Sequence, residues 1–226
     1  MPTHLTIDVG IDGQTTGLVY TSQGTPAHAT FVLAHGAGAG QQSAFITDFA
    51  RGLTERGIDV LTFNFLYTEQ GRRIPDRAPA LESCYRAVID RVRAEVESAQ
   101  QSLFIGGKSM GGRIASQVAA ADAALPIAGL VLLGYPLHPP GKPDERRDKH
   151  LPGIARPMLF VQGTRDAFGT PAELAPLVDA LQPPPALHVV AQGDHSFKLA
   201  RKDPAAQAAL YAELQRVIAA WIRSAP

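Results

Sequence analysis

The sequence predicts an α/β domain with a mostly parallel eight-stranded sheet and helices on both faces of that sheet. Short apolar runs rich in β-branched residues alternate along the chain with longer stretches whose apolar residues recur at helical spacing. The 226 residues are 45% hydrophobic and 19% charged, which suffices for a sizeable core and a solvated surface. No Gly/Ser-rich or charged run divides the chain, so we expect a single domain over residues 1–226.

The predicted strands are apolar runs bounded by turn residues. No helix-length segment separates the first two, so we expect them to form an antiparallel hairpin. The later strands alternate with helical segments and should run parallel to one another. The eight strands are expected at residues 5–9, 17–21, 30–34, 59–63, 103–106, 129–133, 157–162 and 186–190.

The helices are predicted from capping residues as well as from periodicity. Asp203 followed by Pro204 combines an N-cap carboxylate with a proline at the first helical position. Thr170 and Glu173 have the spacing of a capping box. Besides the helices that follow these two caps, we expect helices at 44–56, 78–98 and 110–121, and a proline-rich irregular excursion at 137–156.

Charge and cysteine content restrict the partners and the compartment. Basic and acidic residues both number 21, so no overall field would draw the protein to nucleic acid or to an anionic membrane. The single cysteine, Cys84, cannot form an internal disulfide, which favours a reducing cytoplasmic compartment. We find neither a signal-peptide pattern nor a membrane span, and the oligomeric state stays open.

The sharpest local pattern is G-x-S-x-G, from Gly107 to Gly111, which follows an apolar strand and opens a helical segment. A strand that turns abruptly into a helix forces the central residue into a strained conformation, and flanking glycines leave room for the turn. Ser109 would then project at the edge of the sheet above a helix N-terminus, whose positive dipole end favours an alkoxide-like oxygen. Ser109 is therefore the candidate nucleophile.

Two phosphate-binding patterns compete with this interpretation and are less favoured. A P-loop needs an earlier glycine at the position that Ser102 occupies, and the residues between look like a strand. The glycines from Gly36 to Gly40 resemble a dinucleotide fingerprint, but the G-x-G-x-x-G spacing fails and the preceding strand is not the first.

A serine hydroxyl needs a neighbouring base, and His195 is the best of the seven histidines. It lies in a polar loop directly after the last predicted strand. The base in turn needs a carboxylate that fixes its tautomer. Asp166 follows the strand predicted at 157–162, which precedes the last strand of the chain. The order Ser109, Asp166, His195 is the one expected of α/β-hydrolases. Asp194 is expected to brace the histidine loop. Asp144 and Asp148 remain as alternatives for the acid.

The loop from His35 to Gly38 follows the third predicted strand and is the candidate oxyanion loop. Its glycines would let the main chain approach a substrate, with the N–H of Ala37 as the first donor and Gly38 as an alternative. The N–H of Met110, directly after the nucleophile, would be the second donor. We expect His35 to brace the loop rather than carry a proton.

Four motifs together resemble small dienelactone-hydrolase-like α/β-hydrolases, a group that includes a testis-expressed protein and a subunit of the NSL chromatin complex. The resemblance spans nearly the whole chain and implies the α/β-hydrolase fold with Ser109, Asp166 and His195 as its triad. True dienelactone hydrolases use a cysteine at the elbow, which argues against that substrate. The motifs are His35 to Gly40, Phe63 to Phe65, Gly107 to Arg113 and Gly134 to Gly141.

These observations predict a serine hydrolase that acts on a small-molecule carboxylester or thioester, without a metal or a cofactor and without a large lid. Two alternatives stay open, a non-catalytic interaction module of the same fold and a serine peptidase acting on short peptides. Arg72, after the fourth predicted strand, is a candidate for binding a substrate carboxylate, although surface arginines are more often structural. The segment 137–156 would roof the site or leave it open.

Overall fold

The computed structural model describes residues 1–225, and its strands form one eight-stranded sheet. The structure confirms the predicted mostly parallel sheet with helices on both faces. Each strand is shifted by no more than a few residues from its predicted bounds. The strands are β1 (Thr3–Asp8), β2 (Gln14–Tyr20), β3 (Thr30–Ala34), β4 (Asp59–Phe63), β5 (Leu103–Lys108), β6 (Gly129–Leu133), β7 (Met158–Gly163) and β8 (Ala186–Val190).

The strand order across the sheet is β1-β2-β4-β3-β5-β6-β7-β8. The first two strands pair antiparallel, as expected, and β2 also runs antiparallel to β4. From β4 to β8 every neighbouring pair is parallel. The carboxyl ends of these strands therefore meet at one edge of the sheet, where open α/β sheets bind their ligands.

The described residues contain seven α-helices, two of which the sequence pattern did not resolve. The helix expected at 78–98 is interrupted because Val96 is extended, with φ −114° and ψ 113°. A four-residue helix after β4 is too short to produce a periodic pattern. The helices are α1 (Ala44–Thr54), α2 (Leu66–Glu69), α3 (Ala78–Glu95), α4 (Glu97–Gln101), α5 (Met110–Ala121), α6 (Pro171–Ala180) and α7 (Pro204–Ser224).

Both predicted N-caps form. The Thr170 side chain accepts from the Glu173 N–H and the Glu173 carboxylate accepts from the Thr170 N–H, which completes a capping box. Asp203 accepts from the N–H of Ala206 at the start of α7. Within residues 1–225, no helix is long and apolar enough to cross a membrane.

The helices cover the sheet in two layers. Helices α1 and α7 pack on one face around a core that includes Phe31 and Phe104. Helices α3, α5 and α6 pack on the other face around a core that includes Ile105 and Phe160. The central strand β5 is buried along its whole length between these layers. The end of β5 therefore has a fixed position at the middle of the carboxyl edge.

The segment 137–156 is irregular, as predicted, apart from a single 3₁₀ turn at Leu151–Gly153. It is nevertheless anchored, because Leu137, Leu151 and Ile154 are buried in the core below it. The hydroxyl of Tyr135 donates to the carbonyl of Arg147 at 2.7 Å and so ties the middle of the segment to the end of β6.

A buried tyrosine on α3 stabilises the strand that leads to the site. The Tyr85 hydroxyl donates to the carbonyl oxygen of Gly106 at 2.7 Å and accepts from the N–H of the same residue at 2.9 Å. It also lies 3.1 Å from the carbonyl oxygen of Val32 in β3. Burial raises the pKa of this phenol far above its ordinary value, so the hydroxyl keeps its proton.

We expect Tyr85→Phe to lower the free energy of unfolding by about 1–3 kcal/mol, because the buried Gly106 N–H and carbonyl would both lose their hydrogen bond to the Tyr85 hydroxyl. Urea denaturation followed by circular dichroism measures this loss. Tyr20→Phe, at the half-buried end of β2, is the matched control for removal of a phenolic hydroxyl. Equal stability of the two variants would contradict the role given to Tyr85.

Candidate active site

Ser109 lies between the end of β5 and the first residue of α5, with φ +51° and ψ −114°. The positive φ of a non-glycine residue marks a strained position. No side chain fits on either flank, since a Cβ on Gly107 would lie 2.3 Å from the carbonyl oxygen of Ala34, and one on Gly111 2.7 Å from it. The main chain is held by a hydrogen bond of 2.9 Å from the Ser109 N–H to the carbonyl of Leu133.

The structure brings Ser109, His195 and Asp166 into one continuous chain of hydrogen bonds. The Ser109 Oγ lies 2.8 Å from Nε2 of His195. The Nδ1 of His195 lies 2.8 Å and 2.9 Å from the two carboxylate oxygens of Asp166. These residues follow β5, β8 and β7, so their contact depends on the shared carboxyl edge of the sheet.

The Asp166 carboxylate is 2% exposed and receives further hydrogen bonds that hold its orientation. Gln162 Nε2 donates to its Oδ2 at 2.9 Å, and the N–H of Phe168 donates to its Oδ1 at 2.8 Å. Gln162 is itself fixed, because its Oε1 accepts from the Tyr135 N–H at 2.8 Å. Sequence reasoning missed Gln162, since a lone polar residue in an apolar strand gives no local pattern.

The loop that carries His195 is braced from within. Asp194 accepts from the N–H groups of Ser196 and Lys198 at 2.8 Å and 2.9 Å, which is the bracing contact expected of it. The ring of Phe168 stacks on the imidazole of His195, with centroids 4.2 Å apart. Stacking and the Asp166 contact together restrict rotation of the imidazole.

The loop after β3 lies against Ser109. A Cβ on Gly36 would be 3.5 Å from the Cβ of Ser109. His35 is fully buried, its Nδ1 lies 2.8 Å from the Gly36 carbonyl and its Nε2 accepts from the Phe65 N–H at 3.2 Å. Burial lowers the pKa of His35, so the ring is neutral and can accept this hydrogen bond. These are the contacts expected of a loop-bracing histidine.

Both candidate oxyanion donors line the cavity that contains Ser109 and His195. Ala37 is exposed at the tip of the β3 loop. Met110 is the first residue of α5, so its N–H has no partner inside the helix. The α5 N-terminus also directs its positive dipole end toward Ser109.

This cavity has a volume of about 1010 Å³ and extends across the carboxyl edge of the sheet. One end is formed by α1 and α7 with their preceding loops, and it includes Phe45 and Tyr211. The other end is formed by α3, α5 and the 137–156 segment, and it includes Arg113 and Arg147. Ser109 lies between the two ends. The sequence patterns gave neither arginine a role at the site, because the course of the irregular 137–156 segment that carries Arg147 follows from no local pattern.

Arg72 is not brought to this cavity. Its guanidinium binds Asp76 at 2.6 Å and Gln70 at 2.8 Å, and it lines a separate cavity of about 520 Å³ together with Arg73. These contacts are typical of a structural surface arginine, which was the alternative role considered for Arg72. Among the residues that the structure describes, no group of three or more His, Cys, Asp or Glu side chains could hold a metal ion.

The other cysteine, histidine and aspartate side chains considered for the chemistry are buried, exposed or bound to residues outside the triad. Cys84 is buried on α3, where burial raises the pKa of its thiol to about 12 and leaves it inert. His138 contacts Glu173 at 3.1 Å, and His150 contacts Ser116 at 2.7 Å. Asp148 is paired with Arg146, and Asp144 is exposed.

Comparison with known proteins identifies a family that covers most of this chain. The family described as an alpha/beta hydrolase domain matches residues 27–223. Similar solved structures include a lidless serine hydrolase from Xanthomonas campestris, with TM-score 0.72 and 24% identity, covering 100% of this chain and 97% of that chain.

Two further similar structures are enzymes by their descriptions. A dienelactone hydrolase from Anabaena variabilis has TM-score 0.74 and 19% identity, covering 98% of this chain and 96% of that chain. An esterase from Pyrococcus furiosus has TM-score 0.74 and 14% identity, covering 98% and 92% of the two chains. At these identities the likeness concerns the fold.

Lys108, the residue before Ser109, is an unusual neighbour for the site. Its side chain is buried, and its Nζ has no hydrogen-bond partner within residues 1–225. The ammonium lies 5.5 Å from the ring centroid of Phe197, which gives a weak cation–π contact. Burial lowers the pKa of Lys108 to about 8, although the charges of Asp166 and Asp194 oppose the shift.

We expect Lys108 to make folding stability depend on pH. The unfolded chain binds this proton up to its ordinary pKa of 10.5, whereas the folded chain loses it near 8, so stability rises with pH between these values. Urea denaturation at pH 8 and pH 10 should show a rise on the order of 2 kcal/mol in the natural protein that is absent in Lys108→Met.

The exposed Lys149 provides the matched control for this measurement. Lys149→Met should keep the same rise as the natural protein. An identical pH dependence in Lys108→Met and Lys149→Met would show that Lys108 does not titrate in this range.

Proposed function

The chain belongs to the alpha/beta hydrolase domain family and has that family's fold without a large lid, and on this premise we propose that it is a serine hydrolase. It would cleave small carboxylester or thioester substrates through an acyl-enzyme on Ser109. The observation that carries the proposal is the continuous chain of hydrogen bonds from Ser109 Oγ through His195 to Asp166, with contacts of 2.8 Å on both sides of the imidazole.

The proposed acylation step uses each of these groups. His195 Nε2 accepts the proton of Ser109 as the serine oxygen attacks the acyl carbonyl. Asp166 holds Nδ1–H of the ring and stabilises the imidazolium that forms. The protonated imidazole then gives its proton to the departing alcohol or thiol. The acyl group is left on the serine oxygen.

The oxyanion of the tetrahedral intermediate would be held by the N–H groups of Ala37 and Met110. Met110 supplies an N–H that has no acceptor within its own helix, and Ala37 comes from a loop braced by His35. Water then attacks the acyl-enzyme with His195 as base, and collapse of the second intermediate releases the acid and restores the serine proton.

The ester-type substrate is supported by the open cavity at Ser109 and by similar structures that are described as esterases. The lack of a large lid favours small substrates or exposed acyl groups. The cytoplasmic location and the narrower group that includes a testis-expressed protein and an NSL complex subunit stay predictions from the sequence.

The first test is covalent labelling of Ser109 by a fluorophosphonate probe, identified by mass spectrometry of the native protein. We expect one label at Ser109 and none in Ser109→Ala, because only a serine paired with a base attacks this probe quickly. Ser196→Ala, which removes a hydroxyl from the same cavity, should still be labelled. Failure to label the folded protein would favour the non-catalytic interaction module.

The role of Asp166 is measured by the rate of fluorophosphonate labelling. Asp166→Asn should slow labelling by roughly three orders of magnitude, because an amide stabilises the wrong tautomer of His195. A full labelling rate in Asp166→Asn would instead point to Asp144 or Asp148 as the acid.

The substrate class is tested with p-nitrophenyl esters of increasing acyl length and with short peptide p-nitroanilides. We expect ester hydrolysis with the highest kcat/KM for short acyl chains, and negligible release of p-nitroaniline. Ser109→Ala supplies the background rate for both series. Comparable kcat/KM values for a peptide would establish the peptidase alternative.

A further inference from the structure

Two arginines define one end of the cavity around Ser109. Arg113 lies on the first turn of α5, and Arg147 lies in the 137–156 segment. Both side chains are partly buried rather than extended into solvent. Burial lowers the pKa of Arg113, and the nearby charge of Arg147 lowers it further.

Neither guanidinium is neutralised within the described part of the chain. No ion pair involves Arg113 or Arg147 there. The side chain of Arg113 makes one long hydrogen bond, 3.3 Å to Gln117.

Two nearby aspartates are bound to other arginines. Asp76, which lines the same end of the cavity, is bound to Arg72 at 2.6 Å. Asp148 is bound to Arg146, the residue next to Arg147. Glu82 contributes a weak attraction to Arg113 without forming an ion pair. Within residues 1–225, neither of the two cations at this end of the cavity is therefore paired with an acidic side chain.

Both arginines are attached to fixed backbone. The N–H of Arg113 donates to the carbonyl of Ser109 at 3.0 Å, so one helical turn separates the two residues. The N–H of Arg147 donates to the Leu137 carbonyl at 2.8 Å, and its carbonyl accepts from Tyr135 at 2.7 Å. One helical turn is about 5.4 Å along the axis, so the backbone of Arg113 follows that of Ser109 at this spacing.

Partly buried arginines without counter-ions are suited to bind an anion, because the guanidinium fork matches the oxygens of a carboxylate or a phosphate. We propose that Arg113 and Arg147 form a subsite for an anionic group of the substrate, so that the preferred ester carries a carboxylate or a phosphate. This inference rests on the proposed hydrolase function of Ser109. His150, beside Ser116, adds no positive charge, since burial and Arg113 lower its pKa to about 4.

The experiment compares anionic esters with neutral esters of the same shape. For the acyl side, the pair is the p-nitrophenyl monoester of glutaric acid and p-nitrophenyl valerate. For the leaving-group side, the pair is p-acetoxybenzoate and p-acetoxytoluene. Phenyl phosphate and benzoate, as competitive inhibitors of valerate hydrolysis, distinguish phosphate from carboxylate. We expect kcat/KM at least tenfold higher for the anionic member of one pair.

The variants assign this preference to the two side chains. Arg113→Gln and Arg147→Gln should each reduce the ratio of anionic to neutral kcat/KM by about tenfold, mainly through KM. Arg146→Gln is the matched control, because it removes an adjacent charge that is already paired with Asp148. That control should keep the preference. If one of the two arginine variants does not fold, the other still tests the subsite.

The results of these assays test the anionic subsite and the hydrolase activity separately. Hydrolysis of the neutral esters and labelling of Ser109 without any charge preference would overturn the subsite and leave the hydrolase intact. A charge preference that survives in both Arg113→Gln and Arg147→Gln would also overturn it. Absence of labelling and of all hydrolysis would overturn the proposed function and the subsite together.

Discussion

The positive φ of Ser109 is the constraint on which the rest of the site depends. The turn is accommodated because Gly107 in β5 and Gly111 in α5 both lie against the end of β3 and carry no Cβ that would clash there. A strained residue of this kind costs roughly 1–3 kcal/mol, and it persists only where its surroundings fix the backbone. Here β5 is buried on both faces and hydrogen-bonded to β3 and β6, which supplies that support. The strain directs the hydroxyl at the histidine loop.

Local patterns in the sequence predicted the strands, the capped helices and the three residues that meet at the sheet edge. They did so because each of Ser109, Asp166 and His195 follows directly after an apolar strand, and parallel strands end at one edge. The break of the long helix at Val96 was not predictable from periodicity, since the apolar stripe continues through it.

Contacts that depend on the pairing of distant strands were also beyond local patterns. The amide of Gln162 is turned toward Asp166 because β7 lies beside β6, where the Tyr135 N–H donates to the Gln162 amide oxygen. Arg147 belongs to the irregular segment 137–156, whose path cannot be predicted from periodicity. A formal net charge of zero likewise gave no indication that basic residues gather in the cavity around Ser109, among them Lys108, Arg113, Arg147 and Lys198.

The cavity around Ser109 is lined by the two helix layers that pack on opposite faces of the sheet. The aromatic end, with Phe45 and Tyr211, belongs to the layer of α1 and α7, whereas the cationic end belongs to the layer of α3 and α5. The sheet separates the two layers, and effects of substitutions without shared partners usually add. Under the proposed function, a substrate that reached both ends would be recognised by two groups of residues that can diverge independently during evolution or be redesigned one at a time. The fixed serine between them would impose the same chemistry on every combination.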